Sequence, residues 1–201
     1  MHPNSAFRSD DRALLEALIT EVAFGMVFLA TPDGPRVAHV PLVWDGDGLV
    51  QFHLANGNAL TRHLPGSTAL VVVNGPDGYV SPRWYGDPTQ VPTWNYVALE
   101  LEGTVRQIDE AALRVQLDTI GAQHEARVTT GGEPWTLART PPDKVSAMLR
   151  AITGFSLEVQ AWRPTLKLSQ NKGAEDRERV ALGLEMQGNA ALASLMRTLA
   201  Q

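Results

Sequence analysis

The residues able to do chemistry are few and widely spaced. His39 and His53 each sit within an alternating apolar run, and an imidazole can carry a proton or ligate a metal. No acidic residue or third histidine is tied to them by spacing, and two ligands make a poor metal site, so polar or cofactor contact suits them better. No serine stands in a nucleophile-elbow context, which leaves Ser-His-Asp hydrolysis without support. Lys167-Leu168-Ser169-Gln170-Asn171-Lys172 is an unusually dense donor set. It suits an anion or the polar edge of a ring, and equally a solvated loop capping the helical sequence that follows. Asn58 reads as the cap of a short helix over 59–64, whose N-terminus would seat an anion or simply turn the chain.

Residues 79–96 are a second unusual feature. They hold Trp84 and Trp94, all three tyrosines, and Pro82, Pro88 and Pro92, in a chain that is only 6% aromatic. Three prolines exclude a helix interior or a central strand. Rings on such a stiff connection suit a planar ligand or a subunit contact, or they plug one end of a core.

The elements that must position these groups follow from periodicity. Ser9, Asp10 or Asp11 caps a first helix carrying Leu14, Leu15, Leu18, Ile19 and Val22. Residues 24–30 read as a buried strand, and 36–44 and 49–55 as a hairpin around Asp45-Gly46-Asp47-Gly48. Sharing one apolar face pairs Leu42 with Val50, puts Gly48 at a bulge, and sets His39 opposite His53 beside Pro41 and Gln51. A central strand over 68–73 runs into a turn at Asn74-Gly75-Pro76-Asp77-Gly78. Residues 97–105 alternate as a half-buried strand, Asp109 caps a helix to about Ala126, and Pro142 opens another to Arg150. Residues 153–162 form the last strand, and helical sequence from about 174 to 199 breaks near Gly188-Asn189. Five or six antiparallel strands with short helices between them predict an α+β protein on a small barrel. No βαβ alternation, dinucleotide fingerprint or phosphate-loop motif is present.

The totals narrow the function classes. The 201 residues fit one domain, residues 1–201, with about 166–201 as a helical C-terminal extension. There is no cysteine, so disulfides and thiolate metal sites are excluded, and a cytoplasmic setting is expected. No signal peptide or membrane span is expected. Seventeen Lys plus Arg against 22 Asp plus Glu give a net charge of −5, which provides no global footprint for DNA. The one basic cluster, Arg163, Lys167, Lys172, Arg177 and Arg179, is either a phosphate-contacting surface or a solvated helix face.

Taken together, several segments resemble the PaiB family, also described as FMN-binding negative transcriptional regulators. They are Met1-His2-Pro3-Asn4-Ser5-Ala6-Phe7, Ala38-His39-Val40-Pro41-Leu42, His53-Leu54-Ala55 with Asn58, Tyr79-Val80-Ser81-Pro82 with Trp84-Tyr85, Val91-Pro92-Thr93-Trp94-Asn95-Tyr96 and Lys167-Leu168-Ser169-Gln170-Asn171. The resemblance implies an antiparallel split β-barrel, related to the pyridoxamine-phosphate oxidase group, that dimerises with FMN at the subunit interface. It implies cofactor contacts from His39, Pro41, His53, Ala55 and Asn58, from Trp94 and Asn95, and from Lys167, Ser169, Gln170 and Asn171, the last loop reaching over from the partner subunit. No metal and no catalytic residue are assigned. One departure stands out: where the family often reads His-Leu-Ala-Arg-Ala-Asn-Pro, this chain has His53-Leu54-Ala55-Asn56-Gly57-Asn58-Ala59, and Arg62 is the candidate substitute for the absent arginine. The function implied is an FMN-binding regulator. The alternatives are a flavin-dependent oxidoreductase, or a flavin or haem carrier.

Overall fold

The structure, a computed structural model, describes residues 3–87 and 89–199. Met1 and His2 of the first motif and Pro88 of the aromatic stretch lie outside the described residues. The chain forms two compact units. The first, here the barrel unit, comprises Glu16–Val73 and Glu100–Trp162. The terminal unit comprises Asn74–Leu99 with the segment up to Leu15 and the segment from Arg163 onward.

Among the described residues seven strands make one sheet: β1 Phe24–Thr31, β2 Gly34–Pro41, β3 Val43–Trp44, β4 Leu49–Ala55, β5 Thr68–Val80, β6 Thr93–Gln107 and β7 Ile152–Lys167. Their order is β2-β1-β5-β6-β7-β4-β3. Only Leu42 separates β2 from β3, yet the two stand at opposite ends of that order, so in the barrel unit the sheet curls back on itself and closes. The barrel interior is filled by alternate residues such as Val27, Val40, Val50, Phe52, Val71, Leu101 and Phe155. The cross-strand partners Phe52 and Phe155 stack with ring centroids 5.5 Å apart. Burying each ring stabilises the fold by roughly 1.5–3 kcal/mol.

The hairpin differs from its sequence reading. β2 pairs with β1, so His39 lies opposite Met26, while β4 pairs with β7, so His53 lies opposite Gly154. The two histidines are therefore not a cross-strand pair. β3 meets β4 with Trp44 opposite Val50, two residues from the predicted Leu42–Val50 register. The turn spans Asp45 to Gly48, where Asp45 Oδ1 accepts from the N–H groups of Asp47 and Leu49, while Gly46 and Gly48 both take positive φ. β1, expected to be buried on both faces, alternates instead: Phe24 and Phe28 are exposed.

Helix α1, Arg12–Val22, starts where Asp11 Oδ1 accepts from the Leu14 N–H and stops at Ala23, whose φ is 50°. Helix α2, Glu110–Glu125, is capped by Asp109 through the Ala112 N–H. With α3, Pro142–Leu149, it builds a cluster of Leu113, Leu137, Val145 and Leu149 in the barrel unit. In the terminal unit, α4, Ala174–Met186, and α5, Ala190–Leu199, are separated at Gly188, which has φ 84°. β5 continues through Asn74-Gly75-Pro76-Asp77-Gly78, where the sequence predicts a turn. The Asp77 carbonyl there accepts from Asn189 Nδ2, so that backbone group has a partner without a turn. Among the described residues no helix is long and apolar enough to cross a membrane.

Candidate functional site

The candidate residues divide between the two units. In the barrel unit, the outer faces of β1, β2 and β5 carry Phe24, Met26 and Phe28 opposite Pro41, His39 and Val37, with Val72 and Leu70 on the far side of Met26 and Phe28. Strand alternation puts all of these on one face, since directly paired residues point the same way. Phe24 is 51% exposed and Val37 44%. His39 and Pro41 thus stand within an accessible apolar surface, the kind of surface a flat ring system or a second subunit covers.

His53 has a different setting. Its Nδ1 is buried, and the amide of Gln116 on α2 lies beside it, yet neither Nδ1 nor the Gln116 amide atoms complete a hydrogen bond of good geometry. Burial holds the imidazole below its ordinary range, and the Gln116 amide offsets part of that effect. His53 therefore belongs to a polar contact beneath α2, with Ala55 ending the same strand.

The expected helix over 59–64 is a run of turns instead. Asn58 Oδ1 accepts from the Leu60 N–H at 2.9 Å as a cap would, but no regular helix follows it, so no helix terminus is available as an anion seat. Asn56, which replaces the family arginine, is spent on structure: its Nδ2 donates to the Arg150 carbonyl and its Oδ1 accepts from Thr153. Arg62 bonds His63 and reaches Asp33 at 3.4 Å, with 71% of its side chain exposed. Such a surface pair is worth little, so its guanidinium can turn to an anion at small cost. The barrel unit thus has an accessible apolar face and an exposed guanidinium, and a flavin's ring system and phosphate would call for one of each.

In the terminal unit, Trp94 and Asn95 lie on opposite faces of β6. Trp94 is 53% exposed and meets Tyr79 edge-on at 6.1 Å. Asn95 is fully buried, and its Nδ2 donates to Ser169 Oγ at 2.8 Å and to Met196 Sδ at 3.4 Å. Ser169 takes φ 64°, a left-handed conformation that is uncommon outside glycine. Gln170 braces the same loop, donating through Nε2 to the Leu166 carbonyl and accepting the Leu168 N–H. Asn95, Ser169 and Gln170 are therefore occupied in shaping the loop.

Lys167, Asn171 and the buried Asn95–Ser169 pair instead line a cavity of about 260 Å³ with Tyr85, Gln90, Thr93 and Lys172. Lys167 Nζ donates to Thr93 Oγ1, and Lys172 Nζ donates to Gln90 Oε1 and lies 5.1 Å from the Tyr85 ring centroid. Burial lowers the Lys167 ammonium below its usual range. The Tyr85 hydroxyl is pushed up, first by burial and then by the Asp176 carboxylate, with Ser169 offsetting part of that. Tyr85 was visible in the Trp84-Tyr85 pair and Lys172 at the end of the donor run, but no spacing in the sequence connects them.

Within the basic cluster, two arginines have partners. Arg179 pairs with Glu175 and Asp176, and Arg177 donates to the Lys172 carbonyl. Arg197 is likewise held by Glu178 and Glu185.

Comparison with known proteins places this geometry in a family. Residues 1–161 match the family described as "Putative FMN-binding domain", a span that holds His39 to Asn95 and ends before Lys167. "Protease synthase and sporulation protein PAI 2" of Bacillus subtilis is 28% identical over 175 residues, 85% of this chain and 83% of that one. Among solved structures, the FAD and heme binding protein of Mycobacterium smegmatis superposes with a TM-score of 0.61 at 21% identity, over 87% of this chain and 79% of that one. The flavocytochrome Anf3 of Azotobacter vinelandii gives 0.61 at 18%, over 88% and 77%. These likenesses concern the fold, which is the antiparallel split barrel of flavin-binding proteins. The chain belongs to the family described as "Putative FMN-binding domain".

Proposed function

We propose that this protein is a regulator that works as a homodimer, with FMN held at the subunit interface against the outer face of β1 and β2. The observation that carries this reading is the accessible apolar face on which His39 and Pro41 stand among Phe24, Met26, Phe28 and Val37. His39 and Pro41 would meet the ring system, and Arg62 with Asn58 Nδ2 would meet the phosphate. The exposed Tyr79–Trp94 pair is a further aromatic surface for the partner subunit to cover. When bound, FMN supplies one- or two-electron transfer, and the protein contributes position and exclusion of water.

The name of the Bacillus subtilis relative, a protease synthase and sporulation protein, supports the regulatory part. The ion-paired arginines of the tail and the charge of −5 favour regulation through the flavin or a protein partner over direct DNA contact. β5, β6 and β7 each run through both units, which supports treating residues 1–201 as one functional domain. A second reading, a flavin-dependent oxidoreductase, is favoured by the donor-lined cavity of the terminal unit.

Light scattering with flavin absorbance tests the dimer. The expected result is a mass twice that of the 21.8 kDa chain with one FMN per chain, and loss of both in Phe28→Lys. A monomer that keeps stoichiometric FMN would refute the interfacial site.

A further inference from the structure

We infer that the groove between α2 and α3 binds a small aliphatic α-amino acid as its zwitterion, with Arg114 on the carboxylate and Asp118 on the ammonium. The groove has a volume of about 360 Å³, and its described lining lies wholly in the barrel unit. None of that lining comes from the segments that carry the family resemblance or from the proposed flavin contacts.

Charge placement is the first reason. Arg114 and Asp118 stand one turn apart on α2, so they share a face with Cβ atoms about 5–6 Å apart. Side chains at that spacing can join, yet Arg114 reaches back to Glu110 at 3.8 Å, and Asp118 has no ion-pair partner among the described residues. The Glu110 pair is long and solvent-exposed, so the guanidinium gives it up at small cost. Arg139, on the short helical turn Leu137–Arg139 beside the groove, is spent on the Glu133 and Pro134 carbonyls. A cation and an anion set side by side without closing on each other match a molecule that carries the two opposite charges on one carbon. A ligand of single charge would satisfy one of them and leave the other without a counterpart.

Unspent hydroxyls are the second reason. Helical threonines elsewhere in this protein donate to the carbonyl four residues back: Thr20 to Glu16, Thr119 to Val115 and Thr198 to Ser194. Ser146, on the groove side of α3, makes no such bond among the described residues. Asn4 and Ser81 cap the short helical turns that follow them, whereas Thr136 makes no capping bond to the turn Leu137–Arg139. Two hydroxyl-bearing residues with bonding capacity left over therefore line one groove, each able to donate and to accept.

The base of the groove sets the side chain. Leu137 and Val145 are buried members of the cluster with Leu113 and Leu149, and they give the groove an apolar floor. No aromatic residue lines it, and its volume is at the low end for ligand sites, which suits a branched chain of a few carbons.

The test is calorimetric titration of the full chain, supplied with FMN, with L-leucine, 4-methylpentanoate, 3-methylbutylamine and glycine at low fixed ionic strength. Leucine is expected to bind. The other three lack in turn the ammonium, the carboxylate and the side chain, and each is expected to bind at least about tenfold more weakly. Asp118→Asn and Arg114→Gln should each weaken leucine by about the same factor with FMN uptake unchanged. Asp118→Asn should leave the affinity for 4-methylpentanoate unaltered, and Arg114→Gln that for 3-methylbutylamine, a pattern that general damage to the fold would not give. Should Arg114→Gln fail to fold, Asp118→Asn, at an exposed position, carries the comparison. Absence of leucine binding, equal binding of a truncated probe, or unchanged leucine affinity in the folded variants would overturn the site. Loss of FMN together with leucine in those variants would overturn its independence from the flavin.

Discussion

On the outer face of β1 and β2 the exposed groups are Phe24, Phe28 and Val37, put there by strand alternation between neighbours in sequence. The cavity of the terminal unit is made the other way. Its contacts join Lys167 to Thr93 and Lys172 to Gln90, across 74 and 82 positions of chain. The first region is apolar and open, as suits a ring or a subunit; the second is lined by two lysines and partly enclosed. A local pattern thus builds the first region, and long-range packing builds the second.

Two glycines test how rigid each region's support is. A Cβ at Gly103 would fall well inside contact with the Glu158 carbonyl, so β6 and β7 approach there too closely for any side chain. Gly103→Ala should cost more than about 4 kcal/mol or prevent folding, as read by denaturant melts. Gly183→Ala in α4 meets the Trp84 ring instead, which can shift, and about 1–3 kcal/mol is expected. Equal losses at the two positions would show that the barrel is no stiffer than the terminal unit.

Asn95→Leu comes next. It removes the buried partner of Ser169, and a loss of about 1–3 kcal/mol is expected. FMN binding should persist, since the Asn95 amide is spent on Ser169 and Met196. If FMN alone is lost, Asn95 serves the flavin and the two regions are not distinct.

The smallest effect concerns pH. Burial depresses the His53 imidazole below its ordinary value near 6.5. The unfolded chain therefore binds a proton as pH falls through about 6.5 while the folded chain does not. Stability contributed by His53 is present above that pH and is lost as pH falls toward the folded value. Melts of His53→Gln between pH 8 and 5 should show a shallower decline, by up to about one proton per chain. An unchanged slope would mean that His53 is solvated.

Much of this was legible from local chemistry. The Asp11 and Asp109 caps, the 97–105 alternation with Val97, Leu99 and Leu101 buried, and the break at Gly188 each depend on neighbours within a few residues. Strand partners were harder, because β2 and β3 read as one strand and only barrel closure splits them at Leu42 between two different neighbours. Pro76 likewise read as a turn, since nothing nearby in sequence announces Asn189 as the partner of the Asp77 carbonyl. At the site, residue types were visible but facing was not. Trp94 and Asn95 were grouped by adjacency, whereas a strand sends them to opposite sides. The cavity that Tyr85 and Lys172 complete has no sequence period at all.

The central claim is FMN binding, and equilibrium dialysis of the purified, flavin-stripped protein against FMN measures it most directly. Saturation at one FMN per chain, with a yellow absorbance spectrum, is the predicted result. A colourless protein that takes up no FMN would contradict it.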